Sequence, residues 1–346
     1  MSLLVFSAEA MGGSKSEVDG LPDSLIISFS PEDDDSAIKH ESIEIYKEAF
    51  KTFMEGPSKA DEAIALFDKY IKKAPVRSGL IDEAYYYKAF ILFKTNRLKQ
   101  ALKNIDKSLK HKQESENAWA LKAVILSIFG DKSGAIDANN KTLEINPDHA
   151  GALGNMGHIM MSSKNYEEAF VFFDRLVVQK RDANSLSSRA SALGALGRTD
   201  DAVKDYNDAY KEAKDDADRL VVLESEGYML MKVDRDKEAF KVFKKALKIN
   251  PKSPSILNGM GNALMGMGKN KKAVKHLSKV VNIYPDDYVA WYNIACAYAR
   301  LGSKESAIES LARALELEPG LADSARNDKD FKNIRDEDDF KALMTK

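Results

Sequence analysis

An all-α solenoid of stacked helix-turn-helix units is the fold class that three features of this 346-residue sequence predict. The first is a period. Ala63, Ala101, Ala135, Ala169, Ala202, Ala239, Ala273 and Ala307 recur at intervals of 38, 34, 34, 33, 37, 34 and 34 residues. A fixed period near 34 marks one supersecondary unit copied along a line, not a single globular core. The second is apolar spacing within the period. Across 288–321 apolar residues fall at 291, 294, 295 and 298, then at 307, 308, 311, 314 and 315, which makes two helical stripes. The third is punctuation. Gly302 between the stripes suits a left-handed C-terminal cap, and Pro319 after the second stripe cannot continue a helix.

The elements follow in chain order. Residues 1–40 hold Gly12, Gly13, Gly20, Pro22 and Pro31, and through Ile38 they carry eight acids against Lys15, a net charge of −7. That composition favours a flexible leader. Within it, Ser24–Phe29 is a short apolar run that suits either one strand or a loose segment docking on the solenoid. The first unit is built on Ala49 and Ala63, with a loop about two residues longer than in the other copies. The next carry Tyr85, Ala89 and Ala101, then Trp119, Ala123, Ala135 and Pro147, then Leu153, Gly157, Ala169 and Phe173. They are followed by Leu186, Ala190, Ala202 and Tyr206, by Leu223, Gly227, Ala239, Phe243, Ala246 and Pro251, and by Leu257, Gly261, Ala273, Leu277 and Pro285. The last copy is Trp291, Ile294, Ala295, Tyr298, Ala307, Leu311, Ala314 and Pro319. Three units have Gln113, Arg181 and Lys214 in place of the terminal proline. Two spacings break the period. Residues 76–81 add a loop, and the acidic 211–219 stretch adds about one helical turn to the fifth unit, where the array is expected to divide. Phe331, Ile334, Phe340 and Leu343 lie amphipathically amid acids, so 322–346 reads as capping helices, which repeat arrays need for solubility.

These residues, at these spacings, resemble the tetratricopeptide repeat family over about eight copies in 42–321. The resemblance implies a right-handed superhelix in which the first helix of each unit lines a concave groove that receives an extended peptide. Carried over unit by unit, that face holds Tyr86, Phe90, Phe93, Asn155, His158, Asn184, Tyr228, Asn258, Asn262 and Asn293, beside Tyr46, Phe50, Phe53, Ser187, Cys296 and Arg300. Amides bond a peptide backbone through both donors and acceptors, and aromatic pockets supply anchors. The competing reading has the aromatics filling space between adjacent first helices. Family members that grip a chaperone's C-terminal carboxylate use paired lysines or arginines with asparagines. Here Asn258, Asp323 and Asn327 occupy the cationic places, so that target is not expected.

Composition restricts the alternatives. The apolar fraction of 44% suffices for a continuous core, and 52 basic against 54 acidic residues declare no polyanionic partner for the chain as a whole. One cysteine, Cys296, excludes an intramolecular disulfide framework. No metal site is expected, because the five histidines show no ligand spacing and Glu32–Asp35 lacks the alternation and glycine of a calcium loop. GMGNALMGMGKN at 259–270 has neither a preceding strand nor a Ser or Thr after Lys269, so it is no phosphate loop. No catalytic constellation and no cofactor are expected. Leu3–Phe6 is too short for a secretory start and no run could span a bilayer, which leaves the cytoplasm as the default location.

The expected function is therefore a non-catalytic scaffold whose partners are other proteins, bound through extended segments in the groove. A second surface is the alternative. Eleven lysines and one acid, Glu238, lie between Lys237 and Lys279. Lys241, Lys244, Lys245 and Lys248 share one second-helix face, and Lys271, Lys272, Lys275 and Lys279 share the next. Such a ridge suits an acidic partner or nucleic acid, although arginine and interleaved aromatics are scarce. Self-association is expected wherever an array end is incompletely capped.

Overall fold

The computed structural model describes residues 36–74 and 79–345. Residues 1–35 of the leader, with Ser24–Phe29, and residues 76–78 of the loop expected at 76–81 lie outside the described residues. Residues 36–40, expected in the flexible leader, instead form the start of the first helix. Every described element is helical, and sixteen helices pair as eight hairpins. The first four are α1 (Ser36–Met54) with α2 (Ala60–Lys73), α3 (Ile81–Lys94) with α4 (Leu98–His111), α5 (Glu116–Ile128) with α6 (Lys132–Ile145), and α7 (Ala150–Ser162) with α8 (Tyr166–Gln179). The next four are α9 (Ala183–Ala195) with α10 (Thr199–Glu212), α11 (Asp216–Lys232) with α12 (Asp236–Ile249), α13 (Pro254–Gly266) with α14 (Asn270–Ile283), and α15 (Tyr288–Arg300) with α16 (Lys304–Leu317). Short helices α17 (Ala322–Asn327) and α18 (Asp338–Met344) follow.

One turn recurs. From α3 onward, three residues join the helices of each hairpin, and the middle one is left-handed: Asn96, Gly130, Lys164, Gly197, Asp234, Gly268 and Gly302, with φ between 58° and 79°. The third residue's N–H then returns to the carbonyl five residues back, as in Ser303 to Tyr298 at 3.0 Å and Arg97 to Leu92 at 2.7 Å. This closes the orphan carbonyls of the first helix. The first hairpin is joined by five residues, including a short 3-10 turn at Pro57–Lys59, as its longer spacing predicts.

The period-setting alanines mark close approach of the paired helices. All eight are fully buried, at 0% exposure. Their counterparts on the first helices are equally small. A Cβ added at Gly157, Gly227 or Gly261 would collide with Phe173, Phe243 or Leu277 of the partner helix. The tryptophans are fixed at both ends, since their rings pack on the core while the indole N–H groups of Trp119 and Trp291 donate to the Gln113 and Pro285 carbonyls at 2.8 Å.

The chain forms two compact units, α1–α8 and α9–α18. The division expected at 211–219 thus falls instead between Gln179 and Lys180. The acidic insertion is absorbed as helix. It lengthens α11 to 17 residues, and Asp215 caps that helix by accepting the Asp218 N–H at 2.8 Å. At the C-terminus Ala325, Phe331, Ile334, Phe340 and Met344 are buried in the same cluster as Ala295, Ala297 and Leu311, so the expected cap is present. No described helix is long and apolar enough to cross a membrane.

Candidate functional site

The residues expected on the first-helix faces fall into three environments. The aromatic group in the first unit is largely inter-helix packing. Tyr46 is buried between Phe67 and Tyr70, and its hydroxyl donates to the Glu83 carboxylate at 2.9 Å. Phe50 packs edge-on against Tyr87, with centroids 5.1 Å apart, and Phe53 does the same with Phe90 at 5.9 Å. Phe90 retains 6% exposure, with the Lys94 ammonium 5.4 Å from its ring centre. Tyr86 and Phe93 are half-buried beside it. Burial raises the Tyr86 phenol far above the usual tyrosine range. Here the space-filling reading describes Tyr46 and Phe90, while Tyr86 is half-buried with its ring against Tyr87 and Phe90.

The amides form the second group. Asn155 on α7, Asn258 on α13 and Asn293 on α15 are buried, and Asn262 on α13 is half-buried. Each holds one buried polar atom without a hydrogen-bond partner among the described residues: Asn155 Nδ2, Asn258 Oδ1, Asn262 Oδ1 and Asn293 Nδ2. Ser187 Oγ on α9 is in the same condition. Unmade hydrogen bonds at buried groups cost about 1–3 kcal/mol each. Second-helix amides are not all satisfied either: Asn104 and Asn139 donate to carbonyls four residues back, but Asn139 Oδ1 on α6 and Asn270 Oδ1 on α14 are unpaired as well. Asn258 is partly engaged, since its Nδ2 donates to Asp287 Oδ2 at 2.8 Å and so joins α13 to the cap residue of α15.

The third group is exposed. Asn184 stands in the first turn of α9, open to solvent. Tyr228 is 40% exposed; its ring meets Phe243 edge-on at 5.4 Å, and its hydroxyl donates to the Ser255 carbonyl at 3.1 Å. His158 is open on one side and meets the Phe173 ring at 5.0 Å on the other. The protein around it lowers its pKa by desolvating the charged form.

At the last hairpin the face is covered. Asp328, between α17 and α18, accepts from the Tyr292 hydroxyl at 2.9 Å and lies 3.9 Å from Cys296 Sγ. Asp330 pairs with Arg300 at 2.8 Å. Cys296 and Arg300 are therefore engaged by the cap, and Cys296 is buried. Sequence reasoning placed the cap but not these bonds, because Asp328 and Asp330 look like any other acids of a solvated tail.

The ridge lysines are all exposed, four on α12 and four on α14. Lys245 differs from the rest: its ammonium sits 3.2 Å from the Tyr210 ring centre and is drawn by the buried Glu226. A further acidic set was missed. Asp82, Glu83, Glu114 and Glu116 converge on a pocket of about 210 Å³ where α3, α4 and α5 meet. Among the described residues, no group of three or more metal-ligating side chains is placed to hold an ion.

The tetratricopeptide repeat family matches residues 235–293 and 288–320. The chain is 30% identical over 192 residues to a TPR repeat-containing protein of Methanocaldococcus jannaschii; the match covers 52% of this chain and 33% of that protein's length. Its fold is similar to that of a tetratricopeptide repeat protein from Parabacteroides merdae, with TM-score 0.55 and 16% identity, covering 80% of this chain and 99% of that one. It is also similar to the APC/C hetero-tetramer Cut9–Hcn1, with TM-score 0.52 and 15% identity, covering 89% of this chain and 57% of that one. At such identities these structures speak to the fold alone.

Proposed function

Because this chain is a tetratricopeptide repeat protein, we propose that it is a non-catalytic adaptor holding an extended segment of another protein against its first-helix faces. The architecture is that of a protein-interaction scaffold in general. The observation that carries the finer reading is the set of buried polar atoms without partners on first helices, Asn155 in one unit and Ser187, Asn258, Asn262 and Asn293 in the other. Asparagine is a poor helix former, and a peptide backbone offers the donors and acceptors these atoms lack. Tyr86 in the first unit and Tyr228 in the second add an aromatic ring to the first-helix face of their own units.

The test is selection from a displayed library of random peptides, followed by affinities for the enriched sequences. Replacing Asn262 and Asn293 together by alanine should weaken binding about tenfold or more while the chain stays folded, at about 1 kcal/mol per lost hydrogen bond. Failure to enrich any sequence, or unchanged affinity in the double variant, would falsify the reading.

A second reading rests on the exposed lysines of α12 and α14. Among the described residues, no carboxylate lies within ion-pair distance of Lys244, Lys248, Lys271 or Lys275. An acidic partner would bind there with a steep dependence on salt. Lys244→Glu with Lys275→Glu should abolish such binding; no binding of polyglutamate or duplex DNA at low ionic strength retires it.

A further inference from the structure

Three successive first helices of the second unit bring together acceptors whose neighbouring hydroxyls are already spent. Glu224 and Tyr228 lie one turn apart on α11, Ser255 and Asn258 stand near the start of α13, and Asp287 caps α15. The Ser255 hydroxyl donates to Glu224, and the Tyr228 hydroxyl donates to the Ser255 carbonyl at 3.1 Å. Asp287 accepts twice, from Asn258 Nδ2 at 2.8 Å and from the Ala290 N–H at 2.9 Å. Because a carboxylate only accepts, the bond to Asp287 fixes the orientation of the Asn258 amide. The atom left over is therefore Oδ1, an acceptor beside that carboxylate. Asn258 retains 5% exposure, and its Oδ1 has no partner among the described residues. An unpaired buried acceptor is unfavourable, and a donor brought to it relieves that cost.

The charges point the same way. Neither Glu224 nor Asp287 pairs with a cation among the described residues. Both act on the Tyr228 hydroxyl: burial raises its pKa, the Ser255 bond lowers it, and the two carboxylates raise it further. The acids are not grouped as metal ligands. The exposed Tyr228 ring instead offers a face to an organic cation.

We infer that Glu224, Asp287, Asn258 Oδ1 and the Tyr228 ring receive the charged end of a lysine or arginine side chain, presented by the extended segment of a partner protein. An ammonium or guanidinium carries only donors, which suits a cluster rich in acceptors. The source of the side chain rests on the adaptor reading, which leaves the residue type open.

The probes are Nα-acetyl-lysine methylamide and Nα-acetyl-arginine methylamide, with the neutral citrulline analogue as control, titrated into the full chain. The readout is the NMR shifts of the Tyr228 ring and the Asn258 side-chain amide. Either cation should move both signals and saturate, more weakly as salt rises, whereas citrulline should not. Glu224→Gln should weaken the interaction about threefold to tenfold, as one partner of a half-buried charge pair is neutralised. Asp287→Asn, which keeps an oxygen to cap α15, should do the same and supplies a second variant. No shift from either cation, equal shifts from citrulline, or retained affinity in both folded variants overturns the inference. Selected peptides that bind without favouring lysine or arginine would also overturn it while leaving the adaptor reading intact. Saturating cation shifts with no peptide enriched would sustain the site and remove the adaptor reading, so the two fail separately.

Discussion

Two side chains hold conformations or charge states that the isolated residue would not choose. Lys164 occupies the left-handed turn position at φ 63°, where four of the other hairpins use glycine. The left-handed backbone costs a side-chain-bearing residue roughly 1–2 kcal/mol, part of which glycine returns as lost chain entropy. Lys164→Gly should therefore stabilise by about 0.5–1 kcal/mol. Gly302→Ala should destabilise similarly, since nothing lies within 4 Å of the added Cβ and strain alone acts. Urea unfolding of both variants checks the pair; equal midpoints would refute the strain account. Glu226 on α11 is 7% exposed, and burial pushes its carboxyl from 4.5 to about 7, against the pull of Lys245 and with the push of Glu238. The folded chain then keeps a proton that the unfolded chain has released. Stability from this group is present below about 4.5 and is lost as pH rises through about 7. Glu226→Gln should raise the melting temperature at pH 7.5 and lose that advantage near pH 4.5. A pH-independent difference would exclude the mechanism.

At the scale of the hairpin, the alanine period was legible because close helix approach admits few residue types. Ala239 illustrates it: fully buried on α12, it belongs to the hairpin in which Gly227 on α11 has no room for a Cβ beside Phe243. Ala239→Leu should cost about 1–3 kcal/mol through overpacking. Limited proteolysis should then open the α11–α12 region first; an unchanged cleavage pattern would count against the packing. The aromatic half of the candidate site was less legible. Successive helix residues are about 100° apart, so a groove-facing position and one facing the neighbouring first helix look alike in spacing. Phe90 accordingly turned out to be packed against Phe53. The amides were visible by type, but that their atoms lack partners is a property of the packing. Asp82 and Glu83 gave no signal at all, since acids in a first helical turn normally serve the helix dipole.

Across the whole chain, stability is local to neighbouring hairpins, and the ends need protection. The buried Phe331, Ile334 and Phe340 seal the apolar edge of α15 and α16. Removing 322–346 should leave the helices formed but promote self-association, seen by light scattering as mass rising with concentration. A truncated chain that stays monomeric would show that the seal is dispensable. The polar contacts of that seal, Asp328 to Tyr292 and Cys296, Asp330 to Arg300 and Asn333 to the Ala299 carbonyl, all reach one hairpin. Arg300 in turn bonds the Met265 carbonyl one hairpin back. Terminator and final hairpin thus travel as a cassette. A duplicate of residues 254–287 spliced ahead of Tyr288 would meet at each junction the same chemistry the parent sequence already satisfies, so the number of modules can be changed without redesigning the terminus.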